Sequence, residues 1–168
     1  RRGVVAAGIW SKTLCERLGL PVPLESHRGY HATIENSNIS LRHMCFPVDY
    51  KFAITPMSMG LRIAGTVEFA GLGDPPNYER VNKMVKSCHT ILNGLNSEYH
   101  TQWMGHRPCL PDSLPIIGES RKHPNIFFAF GHGHQGLVGA SQTGKVIAEI
   151  ARDVVPSMNL GPFCIDRF

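Results

Sequence analysis

The residues whose types and spacing best suit chemistry are three glycines and two histidines in the segment Gly131-His132-Gly133-His134-Gln135-Gly136-Leu137. A short aromatic run, Ile126 to Phe130, precedes them, and an apolar-periodic stretch from Leu137 to Ile150 follows. A strand that turns through glycine into a helix aims backbone N–H groups and the positive end of the helix dipole at one point. Electron-rich groups bind there, and glycine lets a flat ligand approach the main chain closely. The same string also reads as a plain strand-to-helix connection without a ligand. His132 and His134 are two apart and share a face in an extended segment, as metal ligands do. However, no acidic or cysteine ligand lies near them in the sequence. His132 is the candidate proton acceptor of the segment, although a main-chain role suits it better.

The second candidate is Arg107, in the block Trp103-Met104-Gly105-His106-Arg107-Pro108. A guanidinium stays charged and grips a carboxylate through two parallel N–H···O bonds. The alternative for Arg107 is a structural salt bridge beside a loop. Residues 100–118 are punctuated by Gly105, Pro108, Pro111, Pro115 and Gly118 and are expected to form a proline-stiffened loop with little regular structure that holds something in place.

The elements that must position these groups follow from periodicity. Val4 to Ala7 is a continuous apolar run, as in a strand covered on both faces. Ser11 is placed to cap a helix carrying Leu14 and Leu18, and Gly19 stops it. After Pro21 and Pro23 the pattern changes to period two: Ile39 to Cys45, Val48 to Ile54 and Leu61 to Phe69 each alternate as half-buried antiparallel strands, with a turn at Pro56 to Gly60. Asp74-Pro75-Pro76 is expected to open a long helix. Its stripe of Val81, Met84, Val85, Cys88, Ile91, Leu92 and Leu95 faces a core, and Arg80, Lys83, Lys86 and His89 face water.

Composition narrows the function classes. The chain has 168 residues, 42% hydrophobic and 18% charged, and its net charge of +4 comes from scattered residues without a basic stripe. That argues against nucleic acid and for a small anionic partner. Five cysteines without a C-x-x-C pair read as free thiols in a reducing, cytoplasmic setting. No apolar run reaches the ~18 residues of a membrane span, and no secretory signal opens the chain. Arg1-Arg2-Gly3-Val4-Val5 enters directly into a strand pattern, so the chain is expected to be a piece of something longer.

Three ordered blocks now belong together. They are VVAAGIWSKTLCERLG followed by PLESHRGYH; FPVDYKFAITPMSMGLRIAGTVEF; and WMGHRPCLPDSLPIIG followed by NIFFAFGHGHQGLVGASQTGKVIAE. In this order they resemble the C-terminal part of the FAD-dependent oxidoreductases of the D-amino-acid oxidase superfamily, nearest to the bacterial D-amino-acid dehydrogenases of small-subunit type. The family begins with a strand-turn-helix carrying G-x-G-x-x-G, and this chain is expected to carry no such motif.

The resemblance implies an α+β fold. An antiparallel or mixed substrate-domain sheet with a long helix would span residues 21–99. Residues 1–20 and 100–168 would supply the C-terminal strands and helices of an FAD-binding α/β domain. It implies non-covalent FAD, because relatives with a flavin-linking cysteine place it earlier than Cys109. Ala7, Gly8 and Trp10 would back onto the cofactor. Gly131, His132, Gly133, His134, Gln135, Gly136 and Leu137 would meet the flavin near N1 and the C2 carbonyl. Arg107 would bind the substrate carboxylate, and Tyr50 would contact substrate. The implied reaction moves a hydride from the amino-acid Cα to FAD, leaving an imine that water converts to a 2-oxo acid and ammonia. Oxygen or a quinone of the respiratory chain would take the electrons, the latter with the protein peripheral to the membrane. As a piece lacking its N-terminal half, the chain would be inactive alone, would not retain FAD, and would leave Val4–Ala7 and Ile126–Phe130 without strand neighbours, so that it self-associates. Two alternatives stand beside this one: a non-catalytic, complex-forming module on a flavoenzyme-like scaffold, and a small β-rich binding domain with a closed sheet.

Overall fold

The structure is a computed structural model that describes residues 1–98 and 100–168. It divides into two units, one formed by Arg1–His27 with Arg107–Phe168 and one by Arg28–His106.

The first unit is built on a three-stranded mixed sheet in the order β1-β7-β6, with β1 at Gly3–Val5, β6 at Ile116–Glu119 and β7 at Ile126–Phe130. β1 runs parallel to β7, with Gly3 opposite Ile126 and Val5 opposite Phe128, and β6 is antiparallel to β7. β7 is therefore the central strand, which corrects the expectation that Ile126–Phe130 would lack neighbours. Its aromatic run makes it the natural centre: Phe127, Phe128 and Phe130 are all buried. β1 is an edge strand whose Val4 side chain is exposed, so it is not covered on both faces as expected.

After β1 the chain passes a 3-10 turn, Gly8–Trp10, into helix α1, Ser11–Arg17. Ser11 does not cap α1 as expected. It is the first helical residue, and its hydroxyl accepts a hydrogen bond from the Ala7 N–H at 3.1 Å, closing the preceding turn. Gly19 does stop the helix. At φ 68° it donates to Glu16 while Leu20 donates to Cys15, which satisfies two carbonyls of the last turn. Helix α3, Gly136–Ile150, follows β7. The core of this unit gathers Ile9, Cys15, Leu24, Leu110, Ile116 and Phe130.

The second unit contains the sheet β3-β4-β2-β5, where β2 is Glu25–Ile34, β3 Phe52–Met57, β4 Gly60–Glu68 and β5 His100–Cys109. β3 and β4 form a hairpin around Ser58-Met59, with Met57 opposite Gly60. Pro56 lies on β3 itself, an edge strand where a missing N–H is tolerated. Helix α2, Glu79–Ile91, buries Val81, Met84, Val85 and Cys88 against Tyr30, Ile34, Phe52, Ile54 and Ile63.

Four expectations need correction here. Helix α2 starts at Glu79 rather than at the prolines. The carbonyls of Ala70, Gly71, Asp74 and Pro75 instead accept from Arg28, which is 0% exposed, at 2.9–3.3 Å. Arg80 is not on a solvated face: it donates to Thr66 and pairs with Glu68. Residues 39–51 form no strand, only a bridge between Cys45 and Ile54. A turn follows Pro47, whose carbonyl accepts from Tyr50 and Lys51, and Lys51 takes φ 56°. Residues 100–109 are strand β5 rather than loop. The loop proper is 110–115, and it does hold something: Asp112 receives the Arg167 guanidinium at 2.7 and 3.3 Å, tying down the C-terminal segment.

β2 and β4 lose register between Arg28 and Tyr30, where β4 carries the extra residue and Thr66 adopts φ 60°. The bulge turns Glu68 toward Tyr30 and Arg28. Hydrogen bonding from Tyr30 and the charge of Arg80 hold the Glu68 carboxyl below its usual range.

Candidate functional site

β1 and β7 are parallel, so the chain leaves both at the same end of the sheet. Ala7, Gly8 and Trp10 follow one strand, and Gly131 to Leu137 follow the other. Loops at the carboxyl ends of parallel strands are where such sheets bind ligands. Gly8 has φ 57°, and a Cβ added there would meet nothing within 4 Å, so this turn presents open main chain. Ala7 is half-buried and Trp10 is exposed.

The expected strand-glycine-helix arrangement forms. Gly131 takes φ 83°, a 3-10 turn occupies Gly133–Gln135, and α3 begins at Gly136. The three glycines do different work. A Cβ at Gly131 would come 2.5 Å from Leu110 Cδ1, so only glycine fits between the strand end and the core. Gly133 has φ 52°, and its missing side chain leaves room beside Cys109 Sγ, 3.4 Å from where a Cβ would sit. Cβ atoms added at Gly136 and Gly139 would make ordinary contacts with His132 Cβ at 3.5 Å and Cδ2 at 3.7 Å, and the His132 ring reaches Thr143 Oγ1 at 3.0 Å. Burial pushes the His132 pKa down, so the ring is held neutral against α3 and ties the turn to the helix. It does not share an extended face with His134 as a ligand pair would. Among the described residues no group of three or more His, Cys, Asp or Glu side chains is arranged to hold a metal ion.

The spacing of Gly131, Gly133 and Gly136 is itself G-x-G-x-x-G, after a strand and before a helix. This corrects the expectation that the chain carries no such motif. No strand follows α3 among the described residues, so the β-α-β crossover of a dinucleotide fold is not formed around it.

A cavity of about 330 Å³ opens beside the turn, lined by His27, Cys109, Leu110, Ser113 and residues 131–135. No carboxylate lines it. Gly136, Leu137, Ala7, Gly8 and Trp10 lie outside its walls, and Leu137 is 93% exposed. Arg107, at the end of β5, is not a wall residue either, yet its charge reaches the turn. The His134 pKa is lowered by burial first, then by Arg107 and by His27. The Nη1 of Arg107 is shielded from solvent and has no hydrogen-bond partner among the described residues. Burial lowers the Arg107 pKa, with Cys109 opposing. Cys109 has its own pKa raised by burial, so its sulfur is a neutral thiol. Among the described residues the hollow is thus free of acid groups and walled in part by the main chain of the glycine turn, as a ligand with anionic and flat parts requires.

Tyr50 belongs to the second unit. It lies in the turn before β3 in the second unit, its hydroxyl 3.2 Å from Thr90 Oγ1, on a cavity shared with Arg80 and Lys83.

Comparison with known proteins agrees with this fold. The DAO family of FAD dependent oxidoreductases matches residues 1–150, and the chain belongs to that family. It is 41% identical over 169 residues to a D-amino-acid oxidase of Bradyrhizobium diazoefficiens, covering 98% of this chain and 40% of that protein. It is 31% identical over 167 residues to a D-amino acid dehydrogenase of Sinorhizobium medicae, again covering 98% of this chain and 40% of that protein. Among solved structures, glycine oxidase from Geobacillus kaustophilus superposes with a TM-score of 0.85 at 22% identity, over 99% of this chain and 45% of that one. The chain therefore spans less than half the length of these relatives.

Proposed function

We propose that this chain is the substrate-side portion of a flavoenzyme that oxidises D-amino acids. In this reading the first unit belongs to the FAD-binding domain and the second to the substrate-binding domain. The observation that carries it is the Arg107 guanidinium, shielded and short of one acceptor, with its field on the turn at Gly131–Gln135. A carboxylate supplies that acceptor in bidentate geometry.

The residues fit FAD. Gly133 leaves main chain open beside Cys109, and no acid among the described residues lines the hollow. Ala7, Gly8, Trp10 and the segment from Gly131 to Leu137 would hold the flavin non-covalently, since Cys109 is a buried neutral thiol. FAD, when bound, supplies the acceptor for the Cα hydride. Arg107 orients the substrate by its carboxylate, and the main chain from Gly131 into α3 stabilises negative charge at the pyrimidine end of the ring. His132 holds the turn in register through Thr143. Among the described residues no side chain is assigned as a base in this reading, so the amino group loses its proton to solvent.

In the same reading the chain alone neither retains FAD nor turns over, and it self-associates through apolar surface that includes Leu137 and Val138. It is a cytoplasmic protein or lies peripherally at the inner face of the cell membrane, and its electrons go to oxygen or a quinone. No helix among the described residues is long and apolar enough to cross a membrane.

The test is D-alanine-dependent dye reduction by flavin-loaded enzyme that contains this chain. Arg107→Lys should raise KM for the amino acid by at least tenfold with a smaller change in kcat. An unchanged KM would remove Arg107 from carboxylate binding. Independently, Arg107→Met should raise the His134 pKa by NMR; an unmoved His134 would separate the guanidinium from the turn.

A further inference from the structure

The clamp between Asp112 and Arg167 in the first unit has no part in the reading above. Nε of Arg167 donates to Asp112 Oδ2 at 2.7 Å and Nη2 donates to Oδ1 at 3.3 Å, a two-point grip of guanidinium on carboxylate. Nη2 also donates to the Leu114 carbonyl at 2.7 Å, and Nη1 donates to the Cys164 carbonyl at 2.9 Å. Arg167 thus holds the loop 110–115 at residues 112 and 114, on either side of Ser113. The clamp has a firm footing. Arg167 ends the 3-10 turn Ile165–Arg167, and Ile165 is buried in the same core cluster as Leu110, where the loop begins.

Ser113, between the two held residues, adopts φ 61°. A side-chain-bearing residue takes that conformation rarely, and it persists only where the surroundings impose it. They do so here through main chain and clamp together. The Ser113 N–H donates to the Leu110 carbonyl at 3.0 Å, and the Leu114 N–H donates to Asp112 Oδ1 at 3.1 Å. The Asp112 carboxylate is therefore shared between Arg167 and the loop's own main chain. The Arg167 hydrogen bond is the foremost cause that holds the Asp112 carboxyl below its usual range, with burial opposing. Ser113 is also a wall residue of the hollow, with Cys109 and the turn at Gly131–Gln135. Glycine or asparagine would suit the backbone at this φ better. Serine instead keeps on the wall a hydroxyl that both donates and accepts.

We propose that the Ser113 hydroxyl hydrogen-bonds the flavin, and that Arg167, acting through Asp112, is the positioning residue that sets it on the wall of the hollow. This rests on the flavin reading of the hollow and gives the clamp and the strained serine a common purpose. Arg167 itself does not touch the ligand. It acts by keeping residue 113 in a conformation that the loop alone would leave, so its loss acts on flavin through Ser113.

The test strips FAD from enzyme that contains this chain and titrates it back, following the quenching of flavin fluorescence. Ser113→Ala should weaken FAD by about twofold to tenfold, the effect of one neutral hydrogen bond. Arg167→Met should weaken it by at least as much, and adding Ser113→Ala to Arg167→Met should cost nothing further, because the hydroxyl is already displaced. Ser113→Gly removes the hydroxyl and the backbone strain together. It should weaken FAD without lowering the urea midpoint, a divergence that a merely structural serine does not produce. Asp112→Asn provides a second reading if Arg167→Met alters the circular dichroism, and it should reproduce the loss of FAD affinity. Unchanged FAD affinity in Ser113→Ala overturns the proposal, as does a Ser113→Ala effect that is the same with and without Arg167. In either case the KM response of Arg107→Lys still decides the flavoenzyme reading by itself. Enzyme that takes up no FAD overturns both.

Discussion

Replacing Gly131 with alanine isolates the feature on which the turn depends. Gly131 sits at φ 83°, where an L side chain costs roughly 1–2 kcal/mol. The added Cβ would also lie 2.5 Å from Leu110 Cδ1 and 3.3 Å from Leu110 Cγ. Leu110 is itself buried in the cluster with Phe128 and Phe130, so it has little room to yield, and overpacking of this kind costs roughly 1–3 kcal/mol more. The expected loss is about 2–5 kcal/mol. Gly133→Ala is the control. It carries the same kind of backbone strain at φ 52°, but its nearest contact is Cys109 Sγ at 3.4 Å, so it should lose only about 1–2 kcal/mol. Urea unfolding followed by circular dichroism separates the two, with Gly131→Ala shifted further by about 1 M for a slope of roughly 1–3 kcal/mol/M. Leu110→Ala removes the collision, so the double variant Gly131→Ala/Leu110→Ala should be more stable than additivity allows by about 1–3 kcal/mol. Equal losses in the two glycine variants, or strict additivity with Leu110→Ala, would refute the claim that close packing fixes the turn.

Three other outcomes are expected. Arg28→Met leaves four loop carbonyls without their buried donor and should cost roughly 3–5 kcal/mol, with chymotrypsin cutting after Phe69 or Leu72 in the variant; wild-type resistance to cutting in the variant would count against it. Stability should fall in two stages on acidification. His31, His106, His132 and His134 have folded pKa values below 6.5, so the unfolded chain takes up protons first, and stability present above about pH 6.5 is lost below it. Glu68 has its folded value below the ordinary 4.5, so its contribution is present above that pH and lost as pH falls through the depressed value. His132→Gln should flatten the first stage, and a urea midpoint that stays constant from pH 8 to 5 would contradict it. Finally, burial pushes the Cys88 thiol up to about 12 and Cys15 up to about 11, while Cys45 is exposed. A thiol reagent mapped by mass spectrometry should label Cys45 first, and equally fast labelling of Cys88 in the folded chain would be the contrary result.

Legibility in the sequence followed local determinism. The chain from Leu61 to Glu68 is a strand whose alternation holds at Leu61 and Ile63 and is broken by the bulge at Thr66, which leaves Val67 and Phe69 exposed, and the stripe from Val81 to Cys88 has a helical period and buries that face. Gly19 and the glycines after Phe130 mark real turns, because positive φ is a property of single residues. Residues 39–51 alternate just as well yet form no strand, since Pro47 and Lys51 close a turn that alternation does not register. Residues 100–109 failed in the opposite direction: Gly105 and Pro108 look like breakers, but an edge strand tolerates the proline and the glycine receives the Trp103 ring.

What the residues determined alone was the kind of group available: a guanidinium near prolines, glycines between a strand and a helix, and the family those blocks share. Tertiary structure decided which of these groups lack partners. The unfilled donors of Arg107 and Arg62, the contact of the Tyr50 hydroxyl with Thr90 and the capture of Arg80 by Glu68 all depend on contacts between residues distant in the chain. Shielding from water and the supply of acceptors are properties of packed surroundings, and no short stretch of sequence carries them.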